Sequence, residues 1–128
     1  MQIVSLYAGL LALLFIGLSA LVIRQRGRAK VAIGAGSDAK LERAMRVHAN
    51  FAEYAPLGLV LLTLMELQRA PTLLLHALGL LLLAGRISHA YGVSQEAENF
   101  RFRVSGMMAT FATLAIAALY LLWPALVG

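Results

Sequence analysis

Cysteine is absent from all 128 residues, so the chain offers no disulfide framework, no thiolate nucleophile of its own and no sulfur ligand for a metal. Its three histidines, His48, His76 and His89, fall at no spacing of the His-x-x-x-His kind, and no metal site is expected. Charge is scarce, at 13% of residues, and acid scarcer still: six Asp and Glu stand against eleven Lys and Arg. With 61% of residues hydrophobic, there is too little polar surface to cover a soluble domain of this size. Lipid is therefore the solvent expected for most of the chain.

What is present supports that reading. Ile3 to Ile23 is 21 residues without a charge and Val104 to Gly128 is 25, each enough to cross a hydrocarbon core of roughly 30 Å. The shorter uncharged runs 54–65 and 70–85 span only if their helices continue into polar flanks. The first run is too long for a signal peptide, its basic residues follow it, and no Ala-x-Ala site ends it, so it is read as a retained helix. The expected fold is all-α, an up-and-down four-helix membrane bundle in a single domain, 1–128, with helices at about 3–25, 40–67, 72–91 and 101–124. Ser37 or Asp38 is the expected cap of the second helix. Pro56 inside that helix is expected to free the Ala52 carbonyl and bend it. Pro71 suits the start of the third helix and Pro124 the end of the fourth.

The basic residues are placed asymmetrically. Positions 24, 26, 28, 30, 40, 43, 46, 86, 101 and 103 lie toward one face of such a bundle, and only 69 toward the other. This positive-inside pattern puts the first and third connections in the cytoplasm and both termini opposite. No basic stripe with interleaved aromatics remains for nucleic acid, so none is expected as a partner.

The second helix carries the densest polar information. With about 100° per residue, Glu42, Arg46, Asn50, Glu53 and Tyr54 share roughly one third of its circumference. Glu42 with Arg46, and Arg46 with Asn50, are four apart and are expected to hydrogen-bond along the helix. Glu53 is expected to find Arg46 or an arginine from another helix, because a carboxylate near hydrocarbon faces a partner or a wet cavity. On spacing alone the stripe fits two readings equally, interhelical polar glue and a ligand site. His48 points about 200° away from Arg46. Farther on, Arg86, His89 and Tyr91 lie near the same mouth, with Arg101 and Arg103 opening the fourth helix. Each alone could be an interfacial anchor. Together the arginines suggest a pocket for a carboxylate-bearing anion. His76, alone on an apolar helix, is read as a packed or hydrogen-bonded residue, and Gly106 as a point of close helix contact.

The segment "ERAMRVHANFAEYAP" resembles the second-helix signature of the MAPEG family, membrane-associated proteins of eicosanoid and glutathione metabolism. The matching positions are Glu42, Arg43, Arg46, Asn50, Glu53, Tyr54 and Pro56. The four-helix layout and long first connection are similar too. The resemblance implies a homotrimer binding glutathione between subunits near the cytoplasmic face, through Arg46, Asn50, Glu53 and Tyr54. It implies a basic residue of the first helix, Arg26 or Arg24, reaching the site from the neighbour, and allows His48 a similar role. Arg86, His89 and Tyr91 stand in the helix 3 region, although the tyrosines of eukaryotic synthases are replaced here by His89 and Val93, with Tyr91 out of register. The arginine that stabilises the glutathione thiolate would be Arg101 or Arg103.

The resulting expectation is a bacterial inner-membrane glutathione transferase or peroxidase acting on lipophilic electrophiles, with glutathione as cosubstrate and membrane lipid and lipophilic small molecules as partners. The alternatives are a non-catalytic protein of this fold that binds glutathione or lipid, and a small four-helix exporter. The exporter fits poorly, because no carboxylate stands within residues 3–23.

Overall fold

In a computed structural model describing residues 2–128, the chain forms four helices: α1 (Gln2–Ala29), α2 (Ala39–Leu67), α3 (Thr72–Ser94) and α4 (Phe100–Val127). All except α2 are long and apolar enough to cross a membrane by length and composition. Helix α2 has the length, 29 residues, but its polar stripe lowers its hydropathy.

The helix ends follow local chemistry. Helix α1 passes the expected end near residue 25 and continues to Ala29, because Arg24, Gln25, Arg26 and Arg28 are good helix formers: a change of solvent does not stop a helix. Lys30 then adopts φ 56°, and the Val31 N–H donates to the Arg26 carbonyl at 3.3 Å, the bond that closes a Schellman turn. Arg69 at φ 59° closes α2 in the same way, with Ala70 N–H donating to the Met65 carbonyl at 3.0 Å. Of the two candidate caps of α2, Asp38 serves: its carboxylate accepts from Leu41 N–H at 2.9 Å and meets Arg28 at 2.6 Å. The Leu41 hydrogen bond, then Arg28, hold the Asp38 carboxyl below its ordinary range. Pro56 lies within a continuous α2. Helix α4 likewise runs through Pro124 to Val127, rather than ending there. The missing N–H removes one bond a single turn from the end, and the Gly128 N–H still reaches the Pro124 carbonyl at 3.0 Å.

Contacts fix the topology as up and down. Glu66, near the end of α2, accepts from Ile3 N–H at 3.0 Å and Val4 N–H at 3.3 Å. This cross-helix cap, which has no local sequence signature, covers otherwise open N–H groups at the start of α1. Helices α2 and α3 form the central pair, and α1 and α4 each pack against both of them. The core runs through Leu11, Leu41, Leu62, Met65 and Leu82.

Glycine sets the closest approach, between α3 and α4. A Cβ on Gly106 would sit 2.5 Å from the Gly85 carbonyl oxygen and from the His89 amide nitrogen. One on Gly92 would sit 2.5 Å from the Arg103 amide nitrogen. Gly92 therefore lets α3 continue past its expected end at 91 alongside the start of α4. Tyr7 covers Gly79, with its hydroxyl 2.9 Å from His76 Nδ1, so His76 is a hydrogen-bonded packing residue. The outer faces of α1 and α4, including Leu13, Ile16, Leu119 and Trp123, are exposed, as expected of helices that meet lipid or other chains.

Candidate functional site

The stripe on α2 does not bond along itself. Asn50 is buried and turns to α3: its Oδ1 and its backbone carbonyl both accept from Arg86 Nη1, the latter at 3.4 Å. Arg86 Nε donates to Thr110 Oγ1 at 3.1 Å and Nη2 to Met107 Sδ at 3.3 Å, and the Tyr54 ring centroid lies 5.8 Å from its guanidinium carbon. Arg86 is thus 2% exposed, inside the α2–α3–α4 junction rather than at the mouth with the other arginines. Its partners among the described residues are neutral. The polar groups and the aromatic face compensate the charge without a counterion.

Arg46 and Glu53, on the same stripe, are exposed, and among the described residues neither forms an ion pair. The expected pairing of Glu53 with an arginine does not occur among the described residues. Asn50 and Arg86 read as interhelical glue, whereas Arg46 and Glu53 keep their polar ends available. The even choice posed by the spacing is divided along the helix.

Around Arg46, the starts of α2 and α4 and the end of α3 enclose a cavity of about 250 Å³, lined by Glu42, Arg43, Arg46, Val93, Glu98 and Arg103 with Ala39. Arg43 Nη1 donates to the Val93 carbonyl at 3.0 Å and lies 3.9 Å from Glu98 Oε1. Arg103 Nη1 pairs with the same oxygen at 2.5 Å. His89 is 4% exposed, lies within electrostatic range of Arg46, Arg86, Arg103 and Glu98, and has no side-chain hydrogen bond among the described residues. Three guanidiniums against two carboxylates make the cavity cationic. It can take a small carboxylate-bearing molecule.

The remaining predicted site residues lie elsewhere in the subunit. Arg26 folds onto its own connection, donating to the Gly34 carbonyl at 2.7 Å and the Val31 carbonyl at 3.3 Å. His48 faces α1, with Nε2 3.0 Å from Ser19 Oγ and its ring stacked on Phe15 at 4.7 Å. Arg101 is exposed, its backbone N–H capped by Asn99. Tyr91 is exposed and meets Phe102 edge-on at 5.0 Å, in an apolar groove of about 480 Å³ with Ala84, Ile87 and Ser88. Glu98 and Thr110 were missed in the sequence. A signal for Glu98 existed, an acid five residues before Arg103. Thr110 gave none, because a threonine in an apolar helix usually bonds its own backbone, as it also does here to Gly106 at 2.8 Å. A second cavity, of about 510 Å³ beside Gln25, Lys40 and residues 94–97, contributes one cation, already 3.4 Å from Glu96.

Comparison with known proteins gives this geometry its context. The inner membrane protein YecN of Escherichia coli K12 is 43% identical over 119 residues, covering 93% of this chain and 89% of the relative. The YecN of E. coli O6:H1 strain CFT073 matches to the same extent. The family model for MAPEG matches residues 4–123. A four-helix integral membrane protein related to a bacterial inner membrane protein, with Glu42, Arg43 and Arg46 of its second-helix signature lining a cationic cavity, this chain belongs to the MAPEG family.

Proposed function

We propose that the protein binds glutathione at the arginine-lined cavity and transfers it to lipophilic electrophiles at the cytoplasmic face of the membrane. The observation that carries this reading is the cavity itself, in which Arg43, Arg46 and Arg103 converge while Arg46 and Glu53 have no ion-pair partner among the described residues. Glutathione offers carboxylates to the guanidiniums and an amine to Glu53. The first turn of α4 supports the chemistry: Phe102 lines the lipid-facing groove and Arg103 the cavity, so an apolar electrophile and a thiolate would be neighbours. A guanidinium beside the sulfur favours the anion, which is the nucleophile. Electrophile from the bilayer and thiol from the cytoplasm then meet at one interface.

In this reading the active unit is a homotrimer, with the exposed faces of α1 and α4 covered by neighbouring subunits and Arg26 or Arg24 available to the adjacent site. The test is conjugation of glutathione to a chlorodinitrobenzene by the purified protein. Arg103→Gln should lose at least about 100-fold in kcat with glutathione still bound, a typical loss for one charge-stabilising donor. Arg101→Gln should stay within a few-fold of wild type. Undiminished turnover in Arg103→Gln would remove Arg103 from the chemistry. Binding without turnover in the wild type would favour the non-catalytic alternative, which the displacement of Tyr91 into the lipid-facing groove supports.

A further inference from the structure

We propose that Glu98 is an internal occupant of the cationic cavity, holding the place of an anionic group of the ligand between Arg43 and Arg103, and that binding exchanges one anion for the other. This rests on the reading of the cavity as the glutathione site and specifies how that site is kept when empty.

The first observation is burial. Glu98 lies in the short connection between α3 and α4, yet its side chain is only 13% exposed and meets two arginines through one oxygen. Glu96, two residues earlier, is the ordinary case: its side chain is 72% exposed and pairs loosely with Lys40. A carboxylate sheltered between guanidiniums at the edge of a cavity has the geometry that an incoming carboxylate or thiolate would adopt.

The second observation is that Arg43 and the α3–α4 connection are held by bonds that do not involve the Glu98 side chain. Arg43 keeps its bond to the Val93 carbonyl, and Asn99 N–H ties the connection to the Gly92 carbonyl at 3.2 Å. The Glu98 side chain can therefore rotate outward without unfolding either helix. With Glu98 gone, Arg43, Arg46 and Arg103 face Glu42 alone, with His89 behind them. That balance suits a ligand bearing two carboxylates and one amine, whereas with Glu98 in place one of those positive charges is already neutralised. The device would leave Arg103 neutralised until ligand arrives and release it toward the sulfur when ligand binds.

The test is glutathione titration into the full-length, detergent-purified wild type, Glu98→Gln and Glu98→Asp. Removing an internal competitor worth no more than a surface-type ion pair should tighten binding about two- to fivefold in Glu98→Gln. Glu98→Asp should shift in the same direction by less, and it decides the matter if Glu98→Gln does not fold. Loss of the gain for esterified glutathione assigns the exchange to a carboxylate, and loss for S-methylglutathione assigns it to the thiolate; both support the proposal. A gain that survives both modifications overturns it. Unchanged or weaker binding in a folded variant also overturns it while leaving the glutathione reading intact. If no protein binds glutathione, that reading fails and phenylglyoxal modification of Arg103 decides: faster reaction in Glu98→Gln supports internal occupancy, and equal rates overturn it.

Discussion

At the residue scale, Arg86 and Arg46 show how the same side chain takes two roles within one bundle. Arg86 is enclosed by Asn50, Thr110, Met107 and the Tyr54 ring, so it organises the junction of three helices. Asn50→Leu would leave part of that guanidinium without an acceptor, and should destabilise the protein by about 1.5–3 kcal/mol, the usual worth of a hydrogen bond to a charged group. Thermal unfolding in detergent measures this. Arg46, one turn before Asn50, is exposed and keeps its guanidinium available. The sequence placed both arginines near one mouth, but depth could not be read from it: Arg86 is drawn inward because Gly85 and Gly106 let α3 and α4 approach and Thr110 supplies an acceptor. The stripe on α2 was legible from its spacing. Which of its members turn inward depended on Arg86, 36 positions beyond Asn50.

At the scale of the elements, glycines decide how closely the helices meet. Gly106→Ala forces a methyl against the Gly85 carbonyl and the backbone of His89, neither of which can move as a side chain would. A loss of about 1–3 kcal/mol is expected from such overpacking, despite alanine's better helix propensity. Gly17→Ala, with nothing within 4 Å, should instead gain up to about 1 kcal/mol. Opposite shifts in unfolding temperature would establish that approach, not flexibility, is the reason for Gly106. The number and order of the helices were legible because apolar runs and turn residues alternate clearly. The ends were harder, because charge was taken as a stop for α1 and proline as a stop for α4. Neither breaks a helix that has good formers on one side or only a turn left to run on the other. The cap from Glu66 onto Ile3 and Val4 joins residues more than 60 apart and has no local signature.

For the molecule as a whole, membrane orientation and assembly connect the cavity to its proposed role. Ten of eleven basic residues lie toward the end that holds the cavity, which predicts that end to be cytoplasmic. The absence of native cysteine makes the test clean. In intact cells, a cysteine at Gly34 should be inaccessible to an impermeant maleimide and one at Gly128 accessible; the reverse pattern would invert the orientation. The most direct measurement of the central claim is calorimetric titration of glutathione into the folded, detergent-purified protein, alongside Arg46→Ala. Saturable binding by wild type at up to millimolar glutathione, weakened at least about tenfold in Arg46→Ala, is the predicted result for a lost charge-assisted contact of roughly 1.5–3 kcal/mol. No binding by a wild-type protein shown to be folded, or equal binding by both proteins, would contradict the claim that this cavity is a glutathione site.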